Sequence, residues 1–438
     1  MSIRTAVATG ALIVVLGTAL AQSPAPAPLD ARASDPIAMG WMAGSPPPAA
    51  KVIRFADGSH YKFPQTRWAF SHMRELVPTV PVSRGSGPVA ALPRGERSDL
   101  DAVTFVPIGT TTPMTWAAAF DANYTDGILV LHRGRVVYER YAGALVPERQ
   151  HIAFSVTKSF VATLAGILIA EGTLDGHATV GSYLPELRPS GFGDATVRHL
   201  LDMTTGLDYS EDYAADDSPV WNLGRAVGFL PAPPVYRRPA TTYAYLASLG
   251  RSSEHGERFS YKTPNTDALA WVMRKVTGRP LAELLRDRLF ARLGAEQDAY
   301  FLVDPVGVEF AGGGLHLSLR DLARFGELMR LGGRFNGAQV VPKAFVDDMM
   351  RGGDRTRFAG AGYKMLPGWS YRSMWWVSHN DHGAFAARGI HGQAIYVDPA
   401  AEMVIARFAS HPLGANANMD PTSLPAFAAV ARRLIEKP

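Results

Sequence analysis

Ser155-Val156-Thr157-Lys158 sets a hydroxyl and an amine three residues apart. On a helix such a pair shares one face, so the amine can point at the serine oxygen. A serine hydroxyl is a weak nucleophile until a neighbouring group takes its proton. Burial, or a nearby cation, would lower the lysine pKa so that the neutral amine could act as that base. The start of a helix also favours the anion that forms. Taken alone, the pattern describes a helix cap with a solvated lysine equally well, and it occurs twice; the other copy is Ser59-His60-Tyr61-Lys62. Context separates them. Ser59 follows Asp57-Gly58 in irregular polar sequence, whereas Ser155 opens a long apolar run with small residues at Ala162, Ala165 and Gly166, as suits a buried central helix.

Two further elements could complete acyl-transfer chemistry. Tyr261-Lys262-Thr263 lies in a loop before a helix that begins near Thr266. A phenol beside the serine could relay a proton to a leaving group as general acid; the other reading of Tyr261 is a packed loop tyrosine. Arg388-Gly389-Ile390-His391-Gly392-Gln393 precedes the last hairpin. Glycines on an edge strand let a substrate approach the backbone closely. A backbone N–H there, paired with that of Ser155, would form an oxyanion hole.

These residues need a scaffold. Ile128–His132 and Arg135–Tyr141, joined through Arg133-Gly134, read as a β-hairpin. Ala394–Val397 and Met403–Phe408 read as a second hairpin, followed by a helix from about Leu424 to Ile435. Between them, residues 175 to about 350 carry mostly helical patterns. One helix is clear: Ser318 caps it, Asp321 follows three residues on, and Leu322, Phe325, Leu328 and Met329 form its apolar face. Strands at both ends with helices between predict an α/β (α+β) fold, one antiparallel sheet flanked by helices with an inserted helical lobe.

The chain of 438 residues is 47% hydrophobic and 19% charged, ordinary globular composition with room for a large core. Its net charge of +4 is scattered rather than grouped, so nothing resembles a nucleic-acid-binding stripe. With no cysteine there is no disulfide framework and no thiol nucleophile. Arg4, an apolar run from Ala6 to Leu16 and Ala19-Leu20-Ala21 have the three parts of a secretory signal, and cleavage is expected after Ala21. The expected organisation is a signal over 1–21, a Pro/Ala-rich linker over 22–50, an extension packed on the body over 51–110, and a hydrolase domain over 111–438. The mature protein is expected to be exported, periplasmic or secreted, without stable membrane insertion.

The order Ser-x-x-Lys, Tyr-x-Thr, then a glycine strand resembles the serine β-lactamase and penicillin-binding protein superfamily. Within it the chain is most similar to the 6-aminohexanoate-dimer hydrolases, the nylon-oligomer hydrolases, from about Trp41 to the end. The most specific stretches are Phe154 to Gly172, Leu200 to Tyr213, Tyr261 to Gly278, Gly312 to Gly333, Trp375-Trp376 and Gly389 to Gln393. The resemblance implies Ser155, Lys158 and Tyr261 as the catalytic trio, and Ile390 as the partner of Ser155 in the oxyanion hole. It implies Tyr213 as a contact to the substrate amide and Trp376 as an aromatic wall. His391 is expected to line the pocket. The chain also departs from the pattern. Lys-Thr-Gly of true β-lactamases is replaced by Ala387-Arg388-Gly389, where Arg388 could supply the charge. An acidic residue and an asparagine that can line the amide-cleaving pocket are replaced by Gly224 and Gly312. That argues against efficient cleavage of the dimer and leaves ester hydrolysis unaffected.

Other templates fail: there is no Gly-x-Ser-x-Gly elbow, no His-Glu-x-x-His, no P-loop and no dinucleotide fingerprint. His379-Asn380-Asp381-His382 lacks a third metal ligand and reads as polar surface. The expectation is a cofactor-free, metal-free serine hydrolase that cleaves a small linear amide or ester through an acyl-enzyme on Ser155. Its rivals are a carboxylesterase, a D-amino-acid peptidase or β-lactamase-type enzyme, and a non-enzymatic penicillin-binding-type sensor of cell-wall peptides. Oligomeric state is left open.

Overall fold

The computed structural model describes residues 27–215 and 217–437, so the expected signal segment lies outside the described residues. A seven-stranded antiparallel sheet forms the body. Its strands run Ser370–Arg372, Trp375–Val377, Phe385–Arg388, Ala394–Asp398, Met403–Ala409, Thr125–His132 and Arg135–Tyr141. Both expected hairpins are present. The first turns through Arg133 and Gly134, both at positive φ (51° and 74°), which matches the right-handed twist of the strands it joins. The second hairpin pairs with the first, Ile405 opposite Val130, and so brings the two ends of the chain into one sheet.

Side-chain alternation along each strand then fixes the layers. Ile395 meets Gly326 of the helix Leu319–Arg330 on one face. Its neighbour Tyr396 meets Phe427 of the helix Asp420–Glu436 on the other, with ring centroids 5.4 Å apart. The central helix Val156–Ala170 lies behind Leu319–Arg330, and Phe160 stacks on Phe325 at 3.7 Å. It is buried around its circumference, polar Thr157, Lys158, Ser159 and Thr163 included, because protein covers it on every side.

A second, four-stranded antiparallel sheet joins Thr79–Val82, Ala299–Leu302, Leu315–Leu317 and His151–Ile152. It aims the chain into the central helix: Ile152 N–H donates to Phe70 O at 2.9 Å and Ala153 N–H to Leu315 O at 2.8 Å, just before Ser155. The inserted lobe contains short helices such as Pro219–Ala226, Thr242–Ser248 and Pro264–Thr277.

The structure differs from the sequence expectation in four places. The helical insertion does not reach 350, because Leu319–Arg330 lies on the large sheet. The last helix begins at Asp420, with Pro421 in its first turn, where a missing N–H costs nothing. Within 51–110, Thr79–Val82 is an integral strand of the second sheet rather than a covering. Residues 27–50 are held to the body: Asp30 and Asp35 carboxylates cap turns, Tyr124 Oη donates to Leu29 O at 2.9 Å, and Trp41 packs beside Ile53 and Trp68.

Gly326 lets the helix and sheet meet. A methyl there would lie 2.5 Å from Val404 Cγ1 and 2.8 Å from Ile395 Cγ2, both on fully buried, stiff β-branched side chains. Gly→Ala in an open helix gains about 1 kcal/mol, but overpacking costs about 1–3 kcal/mol. Gly326→Ala is therefore expected to lower the midpoint of urea unfolding. A raised midpoint would show that the helix can lift off the sheet without cost.

Candidate active site

Ser155 stands at the junction of the second sheet and the central helix, with helix-like backbone angles (φ −66°, ψ −8°). One turn on, Lys158 points back: Nζ lies 2.9 Å from Ser155 Oγ and donates to Gly312 O at 2.6 Å. The amine is buried, and among the described residues no carboxylate is ion-paired with it. Burial lowers its pKa below the ordinary lysine value, and the charges of Glu211 and Asp267 only partly oppose this. Gly312 is held from behind, its N–H donating to Asp267 Oδ1 at 3.0 Å. Burial raises the Asp267 carboxyl well above the usual carboxylate range.

Tyr261 completes the cluster. Lys158 Nζ lies 5.1 Å from the Tyr261 ring centroid, and the ring stacks on Trp376 at 5.6 Å. Its phenol pKa is raised well above 10 by burial and then by the Glu211 charge, with Ser155 hydrogen bonding opposing. Tyr261 thus holds its proton across the neutral range.

Phe154 before Ser155 and His391 after Ile390 both have left-handed backbones, at φ 42° and 61°. Non-glycine residues adopt this region only where their surroundings enforce it. Among the described residues, the Ser155 and Ile390 N–H groups next to them have no hydrogen-bond partner. Gly389 is required by proximity: a Cβ there would lie 2.8 Å from Ala153 O and 3.1 Å from Ser155 N.

A cleft of about 460 Å³ opens from Ser155, walled by Tyr213, Tyr261, Tyr363, Trp376 and Ile390. A second cavity of about 50 Å³ shares Ser155, Tyr213 and Ile390 with this cleft and holds Gly224 and Gly312 in its lining. At Gly312 a Cβ would fall 2.3 Å from Thr263 Cγ2, so close packing dictates glycine there. Two expectations need correction. His391 does not line either cavity; its ring is buried behind Ile390, between His411 O at 2.6 Å from Nδ1 and Tyr61 Oη at 2.9 Å from Nε2. Arg388 is not a free cation in the cleft: it is ion-paired with Asp420 and lies 5.1 Å above the Trp376 ring. The other Ser-x-x-Lys copy forms a surface turn, with Ser59 Oγ on Arg54 O and Lys62 Nζ on Asp57 O. His379 and His382 each have a partner of their own, Ser370 Oγ and Asp398 Oδ2.

Sequence reading missed Glu211, Asp267 and Tyr61. Glu211 accepts from the Tyr213 hydroxyl and the Thr263 N–H, which ties the Tyr213 segment to the Tyr261 loop. Its signal was its place two residues from Tyr213. Asp267 was readable only as a carboxylate in the first turn of a helix. Tyr61 gave no signal beyond the rejected motif.

Comparison with known proteins identifies the family and the fold. The family model described as Beta-lactamase matches residues 118–424. The chain is 37% identical to the 6-aminohexanoate-dimer hydrolase of Paenarthrobacter ureafaciens over 353 residues, 80% of this chain and 86% of that one. It is similar in structure to a Bacillus anthracis protein provisionally named a 6-aminohexanoate-dimer hydrolase, with TM-score 0.80, 30% identity, and 88% and 98% of the two chains covered. A family VIII carboxylesterase shares the fold, with TM-score 0.53, 18% identity, and coverage of 73% and 95%.

The opposing effects on Lys158 are separable. Its amine should titrate below the ordinary 10.5, and Glu211→Gln, by removing an anion that favours the charged amine, should lower it further. The pH midpoint for modification of Ser155 by a fluorophosphonate reads this directly. A midpoint that stays in place or rises in Glu211→Gln would refute the Glu211 contribution.

Proposed function

The chain belongs to the beta-lactamase family and groups within it with the 6-aminohexanoate-dimer hydrolases, and from that premise we propose that Ser155, Lys158 and Tyr261 transfer the acyl group of a small linear ester or amide to water. The enzyme is a serine hydrolase. The observation that carries the assignment of roles is the buried Lys158 amine at 2.9 Å from the Ser155 hydroxyl.

Ser155 Oγ attacks the substrate carbonyl while the neutral Lys158 amine takes its proton. The tetrahedral oxyanion is received by the N–H groups of Ser155 and Ile390, which are held in place before the charge develops. Tyr261 donates its phenolic proton to the departing oxygen or nitrogen and regains one from the Lys158 ammonium, so the trio returns to its starting charge. Water then attacks the acyl-enzyme with the same groups acting in reverse. Burial suits each group to its step: it keeps the amine available as a base and the phenol protonated as an acid. Tyr213, tied to Glu211, faces the reacting carbon from the lobe, and Trp376 forms the opposite wall. The charge–apolar–small pattern of the first 21 residues supports action outside the cytoplasm.

Steady-state hydrolysis of a short p-nitrophenyl ester and of the linear 6-aminohexanoate dimer, for wild type and Ser155→Ala, tests this. Loss of the nucleophile is expected to lower kcat by about 10⁴-fold or more, with substrate binding retained. Wild-type rates in Ser155→Ala would overturn the assignment. Turnover of the ester alone would keep the mechanism and make the enzyme an esterase.

A further inference from the structure

Ser155 is shared by two cavities of very different size and character, and Tyr261 lines only the larger. If Tyr261 protonates the leaving group, the leaving group must lie on its side, in the cleft of about 460 Å³. With the carbonyl oxygen between the Ser155 and Ile390 N–H groups, the acyl chain is then directed the other way. That way leads into the cavity of about 50 Å³ walled by Tyr61, Phe154, Trp221, Leu223, Phe229 and Phe310.

Among the described residues, no charged side chain lines this smaller cavity. Both phenols in its wall are already used, because Tyr61 Oη bonds His391 Nε2 at 2.9 Å and the Tyr213 hydroxyl donates to Glu211. The far wall is fixed: His60 Nε2 lies 2.8 Å from Phe229 O, and the Tyr61 ring meets the Phe229 ring edge-on at 4.9 Å. The floor cannot deepen at Gly312, whose carbonyl holds Lys158. A space of about 50 Å³ takes roughly three to five water-sized groups at about 10–15 Å³ each. The larger cleft, by contrast, has Glu211 and the Arg388–Asp420 pair at its walls and accepts a bulkier, polar group.

We propose that the smaller cavity is an acyl-binding site selective for short, uncharged, apolar acyl groups, with Trp221 and Phe229 setting the length limit. This rests on the mechanism proposed above, because the roles of Tyr261 and Ile390 decide which cavity receives the acyl chain. A terminal ammonium on the acyl chain would meet no carboxylate among the described lining residues, and an unpaired buried charge is strongly disfavoured. A chain beyond about four carbons would have to displace Trp221, which is only partly buried and held by Nε1 on Ala215 O at 2.9 Å.

The test is kcat/KM for p-nitrophenyl acetate, butyrate, hexanoate, octanoate and 6-aminohexanoate with the wild-type enzyme and Trp221→Ala. Butyrate is expected to exceed octanoate by about tenfold or more, and hexanoate to exceed 6-aminohexanoate by a similar factor. Trp221→Ala should bring octanoate to within about threefold of butyrate while leaving the penalty on the ammonium. Equal rates along the neutral series, or 6-aminohexanoate matching hexanoate, would overturn the acyl-site proposal and leave the mechanism standing. If no ester were turned over in a Ser155-dependent way, the mechanism and this proposal would fail together.

Discussion

The site depends on keeping one lysine amine away from water. Lys158 gains a hydrogen bond to Gly312 O and one to Ser155 Oγ but, among the described residues, no ion pair, so its charged form is disfavoured and its neutral form is available at moderate pH. That condition reaches far into the fold. The helix carrying Lys158 must be covered on all sides, which requires the large sheet, Leu319–Arg330 and the lobe around it. It also requires small residues where layers come closest: Gly326 against Val404, and Gly312 against Thr263. A solvated Lys158 would be an ordinary surface lysine and no base at all.

Electrostatic balance does the fine adjustment. Glu211 and Asp267 lie near enough to oppose the effect of burial without pairing with the amine. Asp267 holds the Gly312 peptide by its N–H while that peptide's carbonyl holds Lys158, so one backbone unit links the two buried groups. Glu211 is anchored by the Tyr213 hydroxyl and the Thr263 N–H, and its charge helps keep the Tyr261 phenol protonated. The same carboxylate therefore connects the Tyr213 segment with the loop of Tyr261, the group proposed to protonate the leaving atom.

What could be read from sequence was local. Both hairpins follow from β-rich runs around Gly134 and around Asp398-Pro399, and the central helix from a strongly apolar stretch after Ser155. The capped helix Leu319–Arg330 carried its own period. What could not be read depends on distant partners. Nothing in Thr79–Val82 reveals that it will pair with Ala299–Leu302, because register between strands so far apart in sequence is set by the assembled core. Arg388 looked like a free cation because its counter-ion, Asp420, comes from the last helix. His391 looked like a pocket residue because its neighbour Ile390 is one, although adjacent residues in the turn point opposite ways.

The N-terminal segment supplies the less obvious half of the site. The two backbone N–H groups proposed to receive the oxyanion flank residues held at positive φ, Phe154 and His391, each at a cost of order 1–3 kcal/mol. Their rings pack against each other at 5.4 Å, and both pack on Phe70, at 4.9 and 5.2 Å. His391 is further fixed from two sides. A carbonyl can only accept, so Nδ1 carries the proton given to His411 O, and Nε2 must accept from the Tyr61 hydroxyl. Burial pulls the His391 pKa down to about 4, which keeps this neutral arrangement at neutral pH. Tyr61 and Phe70 come from residues before the sheet begins. The extension is therefore part of the device that holds two strained peptides in register: Tyr61 shapes the small cavity, and Tyr61 and Phe70 together brace His391 next to the Ile390 N–H.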